Sequence, residues 1–133
     1  MNQGEDVVIL AVGPLVFTAR EVALELARDG ISCEVVNCRF IKPMDEQYLS
    51  SIPDRFDYVI TVEEGVITGG FGDGVAAWLL ENGYKGIIKR LGLPDSFVEH
   101  GSRAQIMDLL GLDKKGLIHT IKELIPVSEI LKV

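Results

Sequence analysis

The chain has 133 residues, 47% of them hydrophobic and 25% charged, and its 13 basic and 20 acidic side chains leave a net charge of −7. A single domain of this length buries roughly two-thirds of its unfolded surface, and the apolar share supplies a core, which excludes a disordered chain. The acidic balance, with no Lys/Arg stripe to override it, argues against nucleic acid, and the wholly apolar run Val7 to Val12, which no other exceeds, falls far short of the ~20 residues that span a bilayer.

The polar, acidic start from Met1 to Asp6 is no signal peptide; running straight into an apolar strand, it reads as a cut inside a longer chain. Val7-Val8-Ile9-Leu10-Ala11-Val12 is continuous and largely β-branched, the pattern of a strand covered on both faces. Gly13-Pro14 ends it. Thr18-Ala19-Arg20-Glu21 has capping-box spacing, and Ala19, Val22, Ala23 and Leu26 recur at helical intervals up to Gly30. A second strand is expected around Cys33–Asn37. Its two cysteines, Cys33 and Cys38, are five steps apart, roughly 16 Å along a strand and on opposite faces, so they cannot bridge and read as reduced structural thiols. Asp45 is placed to cap a short helix carrying Leu49 and Ile52. Tyr58-Val59-Ile60-Thr61-Val62 makes a third strand, and Val75, Ala76 and Leu79 mark a helix entered through a glycine-rich turn.

Gly86-Ile87-Ile88 begins a fourth strand, and Gly92-Leu93-Pro94-Asp95 opens a long loop to Gly101. Ser102-x-x-Gln105 forms another capping box, Gly111 stops that helix, and Asp113 caps a last helix with Leu117, Ile118, Ile121, Leu124 and Ile125 on one side. No internal repeat or long linker divides the chain. Strands and helices alternate at the spacing of βαβ units, which gives an α/β fold: a three-layer α/β/α sandwich with a mostly parallel sheet, residues 1–133 forming one domain.

The chemistry-bearing patterns are few. Gly69-Gly70-Phe71-Gly72-Asp73-Gly74 joins a strand to a helix, where backbone amides can meet an anion, but it has neither the dinucleotide fingerprint nor the strand–Gly–Lys–Ser phosphate loop. Tight turning and close helix–sheet packing explain its glycines more simply. Gly72-Asp73-Gly74 also begins like the metal-diphosphate motif of thiamine enzymes. The stretch where that motif needs an Asn, Pro94 to Arg103, has none, so the motif is rejected. Glu63 and Glu64 are neighbours on a strand and point to opposite faces, which suits a turn or subunit contact better than a facing acid/base pair. Arg39 and Lys42 lie at a strand's C-terminal end, open either to a ligand or partner or to an ion pair with Glu63 or Glu64. His100 in its loop suits a surface or interface role, His119 is a helix-face residue, and no Cys/His cluster has metal-ligand spacing. No catalytic constellation assembles.

Taken in order, Leu10-Ala11-Val12-Gly13-Pro14, Thr18-Ala19, Arg39-Phe40-Ile41-Lys42-Pro43-Met44-Asp45, Val62-Glu63-Glu64-Gly65 and Gly69-Gly70-Phe71-Gly72 resemble the transketolase C-terminal domain. That domain is shared by transketolases, 2-oxoacid dehydrogenase E1 β subunits and 1-deoxy-D-xylulose-5-phosphate synthases. The tail, Leu91-Gly92-Leu93-Pro94-Asp95-Ser96-Phe97-Val98-Glu99-His100-Gly101-Ser102 followed by Leu109-Leu110-Gly111-Leu112-Asp113 and Gly116, is similar to the ending of the last group. Two departures, Met44 where Leu is usual and Cys38 where a small or apolar residue is common, look like packing changes.

The resemblance implies a thiamine diphosphate enzyme with Mg²⁺ that joins pyruvate to glyceraldehyde 3-phosphate with loss of CO₂, toward isoprenoid, thiamine and pyridoxal synthesis. The cofactor would carry the hard chemistry on domains outside this chain. No catalytic, cofactor-binding or metal residue is therefore assigned here, and the chain alone is expected to be inactive. It further implies packing against N-terminal and middle domains of the same enzyme, a homodimer, and a cytoplasmic location, or a plastid one in a photosynthetic eukaryote. Arg39, Glu63, Glu64, Gly69, Gly70, Phe71 and Gly72 are the candidate interface or anion contacts. Two rivals stand beside this reading: the same domain of a transketolase or an E1 β subunit, and a free-standing anion- or nucleotide-binding module.

Overall fold

The computed structural model describes residues 6–38, 46–66, 70–93 and 102–125. Among the described residues nine elements follow in chain order: β1 (Val7–Ala11), α1 (Leu15–Arg28), β2 (Cys33–Asn37), α2 (Glu46–Leu49), β3 (Tyr58–Val66), α3 (Phe71–Glu81), β4 (Ile87–Leu93), α4 (Arg103–Leu110) and α5 (Lys114–Leu124). The four strands form one sheet in the order β2-β1-β3-β4, every pairing parallel. The expected α/β/α sandwich is what the chain adopts. Side-chain alternation along the strands builds two cores. Val7, Ile9, Ala11, Cys33, Val35, Ile60 and Val62 face α1, α4 and α5, whereas Val8, Leu10 and Val59 face α2 and α3 together with Ile52 and Phe56. Cys33 belongs to the first core and Cys38 packs against the second, as their odd spacing requires, and both are free thiols.

Most helix ends follow from local sequence. Ser102 and Gln105 make both bonds of a capping box on α4, and the Asp113 carboxylate accepts from the Gly116 N–H at 2.8 Å to start α5. Gly111 ends α4 in the left-handed region at φ 71, which lets the Leu112 N–H reach back to the Met107 carbonyl at 2.8 Å. Ile31 to Leu26 and Tyr84 to Leu79 close α1 and α3 in the same way. In each case a buried apolar residue just past the helix folds back onto the core.

Two expectations need correction. The box at Thr18 and Glu21 does not start α1; the helix begins at Leu15 behind Pro14, with no side-chain cap, and Thr18 is interior. Proline's fixed φ and missing N–H suit it to a helix start, and Ser/Thr-x-x-Glu spacing also occurs inside helices. The loop expected from Gly92 starts later, because β3 continues to Val66 across an irregularity after Val62 and pairs Val66 with Leu93. The cap expected from Asp45 lies outside the described residues.

Candidate functional site

The C-terminal edge of the sheet holds Glu63, Gly70, Phe71 and Gly72, four of the residues singled out in the sequence. Period-2 alternation puts Val59, Thr61 and Glu63 on the face that carries α3, so Glu63 is aimed at that helix's N-terminus. Its carboxylate is buried and spans the first turn: one oxygen accepts from the Phe71 N–H at 3.0 Å and the other from the Gly72 N–H at 2.7 Å. Four N–H groups at a helix start lack intrahelical partners, and here a carboxylate eight and nine residues back, in β3, satisfies two of them. Gly70, at the N-cap, has no side chain with which to do so.

Close approach explains the glycine at position 72. A Cβ there would stand 2.5 Å from the Thr61 Oγ1 and 3.0 Å from a Glu63 oxygen, so the helix reaches the strand only without a side chain. The Thr61 hydroxyl, with 0% exposure, is the one buried side-chain polar atom among the described residues that finds no hydrogen-bond partner. Next along α3, Asp73 pairs with Arg90 of β4, whose backbone partner across the sheet is Thr61.

A second charged cluster sits on the same face of β2. Glu34, 1% exposed, accepts from the Arg55 guanidinium with one oxygen and from the Tyr48 hydroxyl with the other. Burial, followed by the bond to Glu34, pushes the Tyr48 phenol well above its usual range. This ties α2 and the turn after it to the sheet, and Trp78 of α3 adds a bond from its ring N–H to Glu46 at 3.2 Å. Sequence reasoning missed Glu34. Its signal was a charged residue in the middle of a strand, on the parity of the buried Val8 and Leu10 face. Burial also pushes the Cys33 thiol up to about 12, with Asp6 adding to the rise, and the Tyr84 phenol up to about 12, with Asp57 contributing. Tyr84 donates to the Phe56 carbonyl at 3.0 Å.

Of the seven candidate contacts, the structure brings together Glu63, Phe71 and Gly72, with Gly70 beside them at the cap. Arg39, Gly69 and the side chain of Glu64 lie outside the described residues, as do Lys42 and His100. His119 is an exposed helix-face residue paired with Glu123. The donor set for a metal-diphosphate group does not fit this chain. Asp73 is engaged by Arg90, and among the described residues no three His, Cys, Asp or Glu side chains stand close enough to share an ion. No helix among them is long and apolar enough to cross a membrane. The arrangement can brace a glycine turn and a sheet edge.

Comparison with known proteins agrees with this architecture. A family profile described as "Transketolase, C-terminal domain" matches residues 1–117. The chain is 42% identical over 127 residues to the 1-deoxy-D-xylulose-5-phosphate synthase of Geobacillus thermodenitrificans, covering 95% of this chain and 20% of that protein. With the synthase of Aquifex aeolicus it shares 42% over 121 residues, 91% of this chain and 19% of the other. The chain thus spans about a fifth of the length of these relatives. Among solved structures, "Split gene transketolase, inactive beta4 tetramer" superposes with a TM-score of 0.81 at 29% identity, covering 92% of this chain and 39% of that one. The transketolase of Campylobacter jejuni superposes at 0.59 over 92% of this chain and 18% of its own, with 22% identity, a likeness of fold.

Proposed function

The chain belongs to the transketolase C-terminal domain family, and from that premise we propose that it is the C-terminal domain of a 1-deoxy-D-xylulose-5-phosphate synthase. The observation that carries the reading is the pairing of two coverages: 42% identity across 95% of this chain, against only 20% of the relative's length. The whole enzyme condenses pyruvate with glyceraldehyde 3-phosphate with loss of CO₂, and thiamine diphosphate with Mg²⁺, held by other domains, supplies that chemistry. Residues 1–133 contribute one domain that braces those neighbours and supports a cytoplasmic homodimer. Arg39, Glu63, Glu64 and Gly69–Gly72 belong to the edge that meets them. Within that edge Glu63 holds the turn in shape, since its carboxylate already engages the Phe71 and Gly72 amides.

That engagement also weighs against the free-standing anion or nucleotide module. The helix amides such a ligand would use carry an internal carboxylate, and Arg90 carries Asp73. The E1 β subunit and transketolase readings lose ground to the synthase because both relatives quoted at 42% identity are synthases.

The test is a domain exchange in the Geobacillus thermodenitrificans synthase, replacing its matching segment with residues 1–133, followed by assay with pyruvate and glyceraldehyde 3-phosphate. Turnover within about tenfold of the parent is expected, a loss of less than about 1.4 kcal/mol in barrier terms. A folded chimera with no condensation activity would overturn the reading. So would the isolated chain decarboxylating pyruvate when given thiamine diphosphate and Mg²⁺.

A further inference from the structure

We propose that the exposed face of α1 pairs with the same face of a second copy of this chain, antiparallel, about a two-fold axis. Of the five large apolar side chains exposed among the described residues, two share this helix: Phe17 at 67% and Leu24 at 63%, seven positions apart. Leu80, Ile87 and Leu109 lie on three other elements. Glu21 and Arg28, also exposed, complete the stripe. At 3.6 residues per turn Phe17, Glu21, Leu24 and Arg28 fall within about 60° of arc and extend about 16 Å along the helix. Their spacing of four, three and four is that of a seam between two helices. The stripe is turned away from Ala19, Val22, Ala23 and Leu26, which fill the core beneath.

The order of charges decides the occupant and its direction. A parallel copy would set Glu21 on Glu21 and Arg28 on Arg28. An antiparallel copy, with the axis midway between Val22 and Ala23, sets Phe17 opposite the second copy's Arg28 and Glu21 opposite its Leu24. Each guanidinium then covers a phenyl ring and lies about one turn from a Glu21 carboxylate, while the two Leu24 side chains meet beside the axis. The stripe is complementary to itself, which is what a two-fold interface requires of one surface. Glu21 stands 4.0 Å from Lys114, and its 63% exposure leaves it open to a partner as well. A helix of 14 residues covers less than about 1,200 Å² in such a pair, the class of weak, reversible association, so a Kd on the order of 100 μM is expected. The pairing goes beyond the reading above because it needs only this chain's own residues. A chimera without condensation activity would leave it standing, and a strictly monomeric chain would leave the enzyme assignment standing.

The test is sedimentation equilibrium of the 133-residue chain up to about 1 mM, with the folding of each variant checked by its Tm. Wild type is expected to dimerise reversibly. Leu24→Glu, at an exposed position, puts two more carboxylates beside the axis and should weaken dimerisation at least about tenfold. Glu21→Arg alone and Arg28→Glu alone should each lose dimerisation, because like charges then meet across the axis. An equimolar mixture of these two variants should associate, since every meeting of position 21 in one with position 28 in the other again pairs Arg with Glu. That recovery on mixing is expected only of a two-fold, antiparallel partner. A wild-type chain that stays monomeric throughout would give the stripe to another domain of the enzyme and overturn the proposal. So would Leu24→Glu or either charge reversal dimerising as tightly as wild type, or a mixture that fails to associate.

Discussion

Substituting Gly72→Ala tests the contact on which the sheet edge depends. The added methyl would lie 2.5 Å from Thr61 Oγ1, 3.0 Å from a Glu63 oxygen and 3.3 Å from Thr61 Cβ. The first distance is about 1 Å inside normal van der Waals contact. Thr61 is fully buried and cannot swing into solvent, so α3 must move away from β3 or the Glu63 bonds must lengthen. Overpacking of this kind costs about 1–3 kcal/mol, and loss of the capping carboxylate adds about 1 kcal/mol. The better helix propensity of alanine returns up to about 1 kcal/mol, less in a first turn. The net expectation is a loss of about 1–3 kcal/mol, which for a chain this size lowers Tm by roughly 4–12 °C. Denaturant unfolding followed by Trp78 fluorescence measures it directly, since that single tryptophan sits on α3. The double variant Thr61→Ala with Gly72→Ala removes the nearest clashing atom, the Thr61 Oγ1, and its cost should fall short of the sum of the singles by about 1 kcal/mol or more. A Gly72→Ala protein within about 0.5 kcal/mol of wild type, or additive singles, would refute the steric argument.

Thr61→Val replaces the unbonded hydroxyl with a methyl of similar size and should leave stability unchanged or raise it by about 1 kcal/mol; a loss above that would mean the hydroxyl has a partner. Arg55→Met strands the buried Glu34 carboxylate with the Tyr48 hydroxyl alone and should cost about 3 kcal/mol, whereas Glu34→Gln, which removes the charge itself, should cost less; the reverse order by chemical denaturation would contradict the ion pair. Alkali should destabilise the fold. Burial pushes the Cys33 thiol from its ordinary 9.0 up to about 12, so its contribution is complete below pH 9 and is lost as pH rises toward 12. Tyr84, shifted from 10.0 to about 12, adds to the loss above pH 10. Cys33→Ala should flatten the fall between pH 9 and 10, and an identical slope in the variant would exclude the thiol as its source.

Much of this structure was legible because its signals are local. The run at Val7, the caps at Ser102 and Asp113, and the stop at Gly111 each need only a few neighbouring residues, and each forms as read. The box at Thr18 failed for the same locality: four residues cannot reveal that Pro14 has already begun the helix. The site was half legible. Alternation alone puts Thr61 and Glu63 on one face, but which face α3 covers depends on the crossover from β3, and that decides that Glu63 caps the helix while leaving Thr61 unmet. Glu34 was harder still, because its partners Tyr48 and Arg55 lie 14 and 21 residues away and carry no fixed spacing.

The position of β1 has a mechanical consequence. It is the second strand from one edge of the sheet and is flanked on both sides, each of its five residues matched to a residue in β2 and to another in β3. Tension applied at Asp6 along the strand is therefore shared by two parallel ladders in shear, and no pairing can unzip ahead of the next. A neighbour attached at that end would pull against both ladders at once, and the connecting chain would be drawn taut before the sheet yields.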